Sequence, residues 1–324
     1  MKKKILFFLL KVFASGSVLY LLSHKISFRL SFDNIRSVSL PMWAVLILFY
    51  LISVFLAAVR WRTMYSDGIS LYESIKFTFI GILFSTVLPG AVFGDILKGV
   101  SLSVTSKSKQ TSLLIFSISA DKFISLFILL IFFLLGSGFV FHYYPDLDFN
   151  VLINNKFITI AVCILLFLVI IALVYSSRLR YTQHYKRFSQ GRLLNILTAL
   201  KKFFSITATK KKDLLKCATL AVAFHLLNIF QNYIILRALG YIIPFMPLFV
   251  LYVVLSIILV LPFTIAGIGV RDLAALSLYT PLGIPNHGAV AFSMMLLMLS
   301  LLGALGGGVF FFIMTFQKYK IKNP

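Results

Sequence analysis

Long apolar runs separated by short polar stretches dominate this chain. A spanning helix needs about 20 mostly apolar residues, which is a bilayer's thickness at helical rise. Six runs satisfy this requirement, namely 5–23, 41–59, 112–136, 157–175, 214–236 and 288–315. The pattern predicts an all-α polytopic membrane protein with about six full spans.

Two further apolar stretches, 70–100 and 244–280, are interrupted by proline and glycine. Pro89 and Gly90 break the first stretch, and Pro262 breaks the second ahead of Gly267 and Gly269. Proline removes a helical hydrogen bond, and glycine tolerates the backbone conformations that a chain reversal needs. We therefore predict that each stretch is a re-entrant hairpin rather than a straight span.

The distribution of basic residues tests this arrangement. The chain has 31 Lys and Arg residues but nine Asp and Glu residues, a net charge of +22. With a cytoplasmic N-terminus and two hairpins, 23 of the basic residues fall in cytoplasmic segments and five in outer loops. This asymmetry follows the positive-inside rule. We expect a multi-pass protein of the cytoplasmic (inner) cell membrane with both termini in the cytoplasm.

In this arrangement the first hairpin enters from the cytoplasm and the second from outside. Such inverted-topology repeats are typical of secondary transporters, whose broken helices meet near the bilayer midplane. The chain is then one transmembrane domain (1–324), with pseudo-repeat halves at about 1–176 and 214–324. The basic segment 177–213 that joins them is either a solvated connector or an interfacial helix resting on anionic headgroups.

Composition excludes a soluble domain and narrows the partners. Hydrophobic residues make up 60% of the chain and charged residues 12%, against about 45–50% and 25% in soluble proteins. Because the basic residues lie between apolar runs, they favour a negatively charged membrane surface over nucleic acid. We interpret Cys163 and Cys217 as packing residues, and we expect no cofactor and no metal site.

Ionisable groups inside a membrane cost about 2.5–3.5 kcal/mol each to insert, so they are the first candidates for function. Gly94, Asp95 and Lys98 follow the first break. Asp95 either caps a restarted helix or has a functional role, in which it orients Lys98 or takes part in ion coupling. Lys98 either binds a lipid phosphate or extends to the cytoplasmic interface.

A second group follows the second break, where Gly267 and Gly269 precede Arg271 and Asp272. Arg271 carries a planar donor fork that fits a phosphate. The alternative is an ion pair of Arg271 with Asp272 or Asp95 that holds the hairpins together. The two interpretations are compatible.

Two sets of polar residues lie within the predicted spans themselves. Asp121 and Lys122 occupy the 112–136 span, and each is expected to find a partner on a hairpin, because adjacent helical residues do not face each other. They either contribute to a substrate site or form purely structural ion pairs. His225, Asn228 and Asn232 lie on one side of the 214–236 span. They either line a cavity or make hydrogen bonds between helices.

The ordered set of these motifs resembles the transmembrane region of the lysylphosphatidylglycerol synthase family, also called flippase-like. The resemblance covers nearly the whole chain and rests on Arg60-Trp61, Leu88-Pro89-Gly90, Gly94-Asp95 with Lys98, Asp121-Lys122, and Ala266 to Asp272. Phe93, Lys98 and Asp272 stand where the family pattern has Gly, Arg and Glu. The resemblance implies a helical fold with two re-entrant elements and movement of a phospholipid between leaflets. We expect a stand-alone member, since no stretch is long enough for the soluble synthase domain.

We therefore expect a flippase that moves an anionic phospholipid or a lipid-linked glycan, with Lys98 and Arg271 on the phosphate. The alternative is an integral-membrane enzyme or accessory subunit in lipid-linked sugar or aminoacyl-lipid metabolism. The sequence shows no nucleotide-binding loop, so we do not expect ATP-driven transport by this chain alone, and no catalytic constellation supports an enzyme. The expected partners are membrane lipids, with a second copy of the chain or a separate lipid-modifying enzyme as further candidates.

Overall fold

The computed structural model describes residues 28–65, 69–88, 91–105, 111–144, 211–260 and 267–322. Within these ranges the regular structure is helical throughout, without a strand. The helices are α1 (Phe28–Arg36), α2 (Leu40–Met64), α3 (Leu71–Val87), α4 (Ala91–Thr105), α5 (Thr111–Tyr143), α6 (Lys211–Ala238), α7 (Phe245–Val260), α8 (Val270–Tyr279) and α9 (Asn286–Lys322). A short 3₁₀ turn, Thr280–Leu282, follows α8.

Four of the described helices are long and apolar enough to cross a membrane. They are Leu40–Met64, Ser117–Tyr143, Lys211–Ala238 and Asn286–Phe316. They contain the predicted spans 41–59, 214–236 and 288–315 and most of 112–136, so the all-α polytopic fold is confirmed. The predicted spans 5–23 and 157–175 lie outside the described residues, as does the connector 177–213 except for the last three residues, which begin α6.

Each broken stretch contains two helices that pack against each other. Helix α3 ends at Val87 and α4 begins at Ala91, while α7 ends at Val260 and α8 begins at Val270. Pro89, Gly90 and Pro262 fall between these helices, outside the described residues. The interruptions therefore lie where the sequence predicts them, and re-entrance into the membrane stays a prediction.

Glycine allows α3 and α4 to approach closely. A Cβ atom at Gly94 would overlap the Ser85 side chain and the carbonyl oxygen of Gly81. A Cβ atom at Gly81 would lie 3.3 Å from the Cβ of Lys98. This close contact places Lys98 directly beside α3.

The start of α8 depends on glycine for a different reason. Gly267 and Gly269 have φ angles of 74° and 86°, in the left-handed region that glycine adopts without strain. The Gly267 carbonyl accepts a hydrogen bond from the Arg271 amide at 2.8 Å. The Gly269 amide donates to the Asp272 carboxylate at 2.9 Å, so Asp272 satisfies a free amide at the helix start.

The main apolar core lies between α2, α5, α6, α7, α8 and α9. Its fully buried members include Leu46, Ile229, Val253, Leu278 and Phe292. Helix α9 also packs along α3, where Gly307 touches the backbone of Phe79. Glycine at this position lets the two helices pack backbone against backbone.

Neighbouring glycines on α9 provide a test of this contact. A Cβ atom at Gly307 would overlap the carbonyl of Phe79, whereas one at Gly308 would meet nothing within 4 Å. We expect Gly307→Ala to lower the free energy of unfolding by about 1–3 kcal/mol because backbone cannot move aside cheaply. Gly308→Ala should leave it unchanged or raise it by up to about 1 kcal/mol through helix propensity. Thermal unfolding of the two purified variants in detergent measures the difference, and equal midpoints would contradict the packing.

Candidate functional site

Two adjoining cavities lie between the helices. The smaller has a volume of about 420 Å³, and the larger has about 850 Å³. They share lining residues on seven helices, α2 and α4 to α9, including Asp95, Lys122, Asn228 and Arg271. Residues of both broken stretches therefore meet the long spans at one place.

A buried ion pair connects α2 to α5 beside the smaller cavity. The Arg60 Nε and Nη2 atoms donate to the two carboxylate oxygens of Asp121 at 2.5 and 3.1 Å. The guanidinium also lies over the ring of Phe224, 5.1 Å from its centroid. Next to it, the Trp61 indole donates to the Ser117 hydroxyl at 3.2 Å. Arg60 and Trp61 thus fix α5 through Ser117 and Asp121, which are one helical turn apart.

A second ion pair connects α4 to α5. The Lys122 Nζ lies 2.9 Å from the Asp95 carboxylate, and both side chains are partly exposed. The prediction that Lys122 has its partner on a hairpin agrees with this contact. For Asp121 that prediction is wrong, because its partner Arg60 lies on a long span. The capping interpretation of Asp95 is also wrong, because α4 begins at Ala91, one turn earlier.

Lys98 is buried in the wall of the smaller cavity and has no carboxylate partner within 4.0 Å among the described residues. Its Nζ lies 3.8 Å from the centroid of the Trp61 ring, a cation–π contact. The alternative in which Lys98 extends to the interface is therefore wrong. The aromatic face stabilises the charge without neutralising it.

Arg271 lines both cavities and is also buried. Its Nε donates to the Ser293 hydroxyl at 3.0 Å, and that hydroxyl donates to the Asp272 carboxylate. Direct pairing of Arg271 with Asp272 or Asp95 is absent among the described contacts within 4.0 Å. The serine instead holds the guanidinium and the carboxylate in one network.

The polar face predicted on α6 lies along the larger cavity, because His225, Asn228 and Asn232 all line it. The two ring nitrogens of His225 each lie 2.9 Å from a hydroxyl, those of Ser125 on α5 and Tyr252 on α7. Asn228 donates to the Phe224 carbonyl of its own helix at 2.7 Å. His225 therefore both lines a cavity and connects three helices, so the two interpretations hold together.

The sequence assigned no contact to four residues of this site, although Arg60 belongs to one of the motifs that carry the family resemblance. Arg60 stands at the end of an apolar span, where basic residues are ordinary, and Ser125, Tyr252 and Ser293 are common in membrane helices. Their roles follow from contacts between residues 22 to 100 positions apart. Only the embedded charge of Arg60 could have been suspected in advance.

Charge dominates the chemistry of the smaller cavity. Among the described residues it is lined by four cations, Arg60, Lys98, Lys122 and Arg271, but by only two carboxylates, Asp95 and Asp121. Both carboxylates are already paired, with Lys122 and Arg60 respectively. An anion is therefore the ligand that this lining favours, since a buried cation without a counter-charge is costly. The described residues contain no group of three or more side chains placed to hold a metal ion.

The larger cavity has a different character. Most of its lining is apolar, with Ile96, Val100, Phe123, Leu126 and Leu255 among the members. The charged cavity and the apolar cavity together offer one cationic environment and one hydrocarbon environment in contact.

Comparison with known proteins assigns the chain to a family. Residues 8–308 match the model described as the lysylphosphatidylglycerol synthase TM region. The chain belongs to this family. It is also similar to a UPF0104 membrane protein, PH1989, from Pyrococcus horikoshii, with 25% identity over 275 residues that cover 77% of this chain and 79% of the relative. No solved structure matches the chain.

Family membership, together with the apolar helices, establishes that this member is a multi-pass integral membrane protein. The family match includes both broken stretches and every ionisable residue of the two cavities. The resemblance that the motifs indicated is therefore confirmed at the level of the whole chain.

The ion pair between Arg60 and Asp121 makes a stability prediction. Asp121→Asn leaves a buried guanidinium without its counter-ion, so we expect the free energy of unfolding to fall by about 3–5 kcal/mol. Replacing both partners by apolar residues, Arg60→Met with Asp121→Leu, should recover most of that loss. Asp33→Asn, at an exposed position of α1, is the matched control and should change the free energy of unfolding by less than about 0.5 kcal/mol. Thermal unfolding in detergent checks all three, and a double variant less stable than Asp121→Asn would refute the pairing.

Proposed function

We propose that this family member is a flippase that moves an anionic lipid between the two leaflets of the cytoplasmic membrane. The observation that carries the proposal is the contact between a cation-rich cavity and a larger apolar cavity. A lipid has the same two parts, a phosphate-bearing head and hydrocarbon chains. Both volumes fall within the range of about 300–1,000 Å³ that ligand pockets occupy.

Lys98 and Arg271 are the proposed phosphate contacts. Both are buried, both line the charged cavity, and neither has a carboxylate within 4.0 Å among the described residues. A phosphate between them would supply the missing negative charge and accept charge-assisted hydrogen bonds. Lys122 and Arg60 are already paired, so we assign Asp95 and Asp121 the task of positioning them. Asp272 positions Arg271 through Ser293.

The polar face of α6 has a separate role in this proposal. His225, Asn228 and Asn232 present hydrogen-bonding groups along the larger cavity, whose lining surface is mostly apolar. They would contact the glycerol or sugar part of a head, where the chains join it. The candidate substrates are therefore an anionic phospholipid and a polyprenyl-linked glycan, and nucleic acid is not among them.

Orientation follows from the basic residues rather than from the cavities. The excess of Lys and Arg in alternate connections favours cytoplasmic N- and C-termini in an inner cell membrane. We further propose that the chain carries its lipid unchanged and needs no cofactor. A second copy of the chain, or a separate enzyme that modifies the lipid, is a candidate partner.

Transport by the reconstituted protein tests the proposal. Proteoliposomes that contain a fluorescent phosphatidylglycerol are treated with a membrane-impermeant quencher, and the loss of inner-leaflet signal gives the rate of exchange. Lys98→Met and Arg271→Met should each reduce the rate at least about tenfold, because a charge-assisted hydrogen bond contributes about 1.5–3 kcal/mol. Arg237→Gln is the matched control, since Arg237 is exposed on α6 and contacts the Tyr233 hydroxyl outside both cavities.

Two results would contradict the proposal. Exchange that proceeds equally in the wild-type protein, both cavity variants and empty liposomes would reject lipid movement by this chain. Mass spectrometry of the same lipids addresses the alternative function, because a carrier returns its lipid unaltered. A new lipid species that depends on the protein would instead favour an enzyme.

A further inference from the structure

The apolar cavity reaches the protein surface between α4 and α5. Ile96 and Val100 on α4 line it, and so does Phe123 on α5. These side chains are also 49%, 46% and 42% exposed, respectively. Side chains that line a cavity and lie on the surface mark an opening, which we call the α4–α5 opening.

The surroundings of this opening are hydrocarbon rather than water. Phe123 belongs to the membrane span Ser117–Tyr143, and its neighbour one turn along, Phe127, is 61% exposed on the same span. Exposed aromatic and aliphatic side chains on a spanning helix are stable only against lipid. The α4–α5 opening therefore faces the bilayer sideways, and a hydrocarbon chain is the occupant that it fits.

An ion pair lies at the edge of the same opening. Asp95 precedes Ile96 on α4 and Lys122 precedes Phe123 on α5, and their charged groups meet at 2.9 Å. Among the described residues this is the ion pair that connects α4 to α5. Both residues line both cavities, so the pair stands between the opening and the charged cavity.

We infer that the α4–α5 opening is the lateral entrance for the hydrocarbon chains of an anionic membrane lipid, and that the Asp95–Lys122 ion pair is its gate. This inference rests on the proposed function, because it assigns a route to the lipid that the cavities would hold. An approaching phosphate competes with Asp95 for the Lys122 ammonium. When the Asp95 carboxylate loses Lys122, a second cation remains near it, because Lys98 lies three residues further along α4.

The gate gives selectivity a physical cause. A neutral or zwitterionic head offers Lys122 no comparable exchange of partners, because its phosphate is already accompanied by a positive charge or is absent. The ion pair therefore stays closed to such lipids in the low dielectric of the membrane, where charge pairs are strongest. An anionic lipid, by contrast, reaches Lys98 and Arg271 only after its phosphate has passed Lys122.

Photo-crosslinking at two positions one turn apart tests the entrance. p-Benzoylphenylalanine replaces Phe123, which lines the cavity, or Phe127, which is exposed but lines neither cavity. The protein is reconstituted in phosphatidylcholine with minor amounts of phosphatidylglycerol and polyprenyl phosphate. Mass spectrometry then gives the ratio of each anionic lipid to phosphatidylcholine among the crosslinked products.

We expect position 123 to capture one anionic lipid about tenfold above its share of the bilayer, matching the strength of a charge-assisted contact. Position 127 should report the bulk composition, and Lys98→Met with Arg271→Met should remove the enrichment at 123. Which anionic lipid is enriched distinguishes a phospholipid from a polyprenyl carrier. Bulk composition at 123 in a protein that still exchanges lipid would overturn the entrance while leaving the proposed function intact.

Variants that remove or swap the charges of Asp95 and Lys122 test the gate. Asp95→Asn and Lys122→Gln remove the pair, and each should let phosphatidylcholine exchange several-fold faster relative to phosphatidylglycerol than in the wild-type protein. The double variant Asp95→Lys with Lys122→Asp restores a pair across the same helices and should restore the wild-type preference. A double variant as unselective as the single variants would overturn the gate. If the anionic lipid were still enriched among the products crosslinked at position 123, the α4–α5 opening would remain the entrance although the ion pair does not act as its gate.

Discussion

Every charge placed inside the hydrocarbon must find a partner, and this constraint organises the described structure. The pairs Arg60–Asp121 and Lys122–Asp95 both end on α5, and they attach it to α2 and α4. Because an unpaired partner would be more costly than the pair is favourable, these contacts fix which helices are neighbours. Trp61 and Ser293 stabilise the other two cations, because Trp61 supplies an aromatic face to Lys98 and Ser293 supplies a hydroxyl to Arg271.

Lys98 and Arg271, which have no carboxylate partner among the described residues, come from corresponding places in the two broken stretches. Lys98 lies on the helix after the first break, and Arg271 lies in the first turn after the second. Glycine makes both placements feasible, through the close contact of Gly81 with Gly94 and through the positive φ angles of Gly267 and Gly269. Each broken stretch thus combines a break, glycines and a buried cation, and the two cations, Lys98 and Arg271, meet at the smaller cavity.

Much of the fold could be predicted because spanning helices are encoded locally, in about 20 consecutive apolar residues. The breaks were equally visible, since proline and glycine act on their own backbone. Partners were not. The prediction that Asp121 pairs with a hairpin failed because Arg60 approaches from 61 residues away, and no periodicity encodes such a distance. Ser293 and Ser125 were missed for the same reason, because a hydroxyl has no signature until the helix packed against it is known.

The division between paired and unpaired cations also separates structural from functional roles in a way that composition alone does not. Each of the four cations of the smaller cavity is costly to insert into a membrane, so the insertion free energy by itself identifies all four as candidates for function. The Arg60 pair is sealed from the surface and connects two long spans, which makes it a poor site for exchange with a ligand. The Lys122 pair is partly exposed and connects a short helix to a long one, so it can open with less disruption. Lys98 and Arg271 have no ion pair to break within the part of the chain that the structure describes. An anion that enters past the partly exposed Lys122 would therefore reach two buried cations, Lys98 and Arg271, that have no carboxylate partner among the described residues.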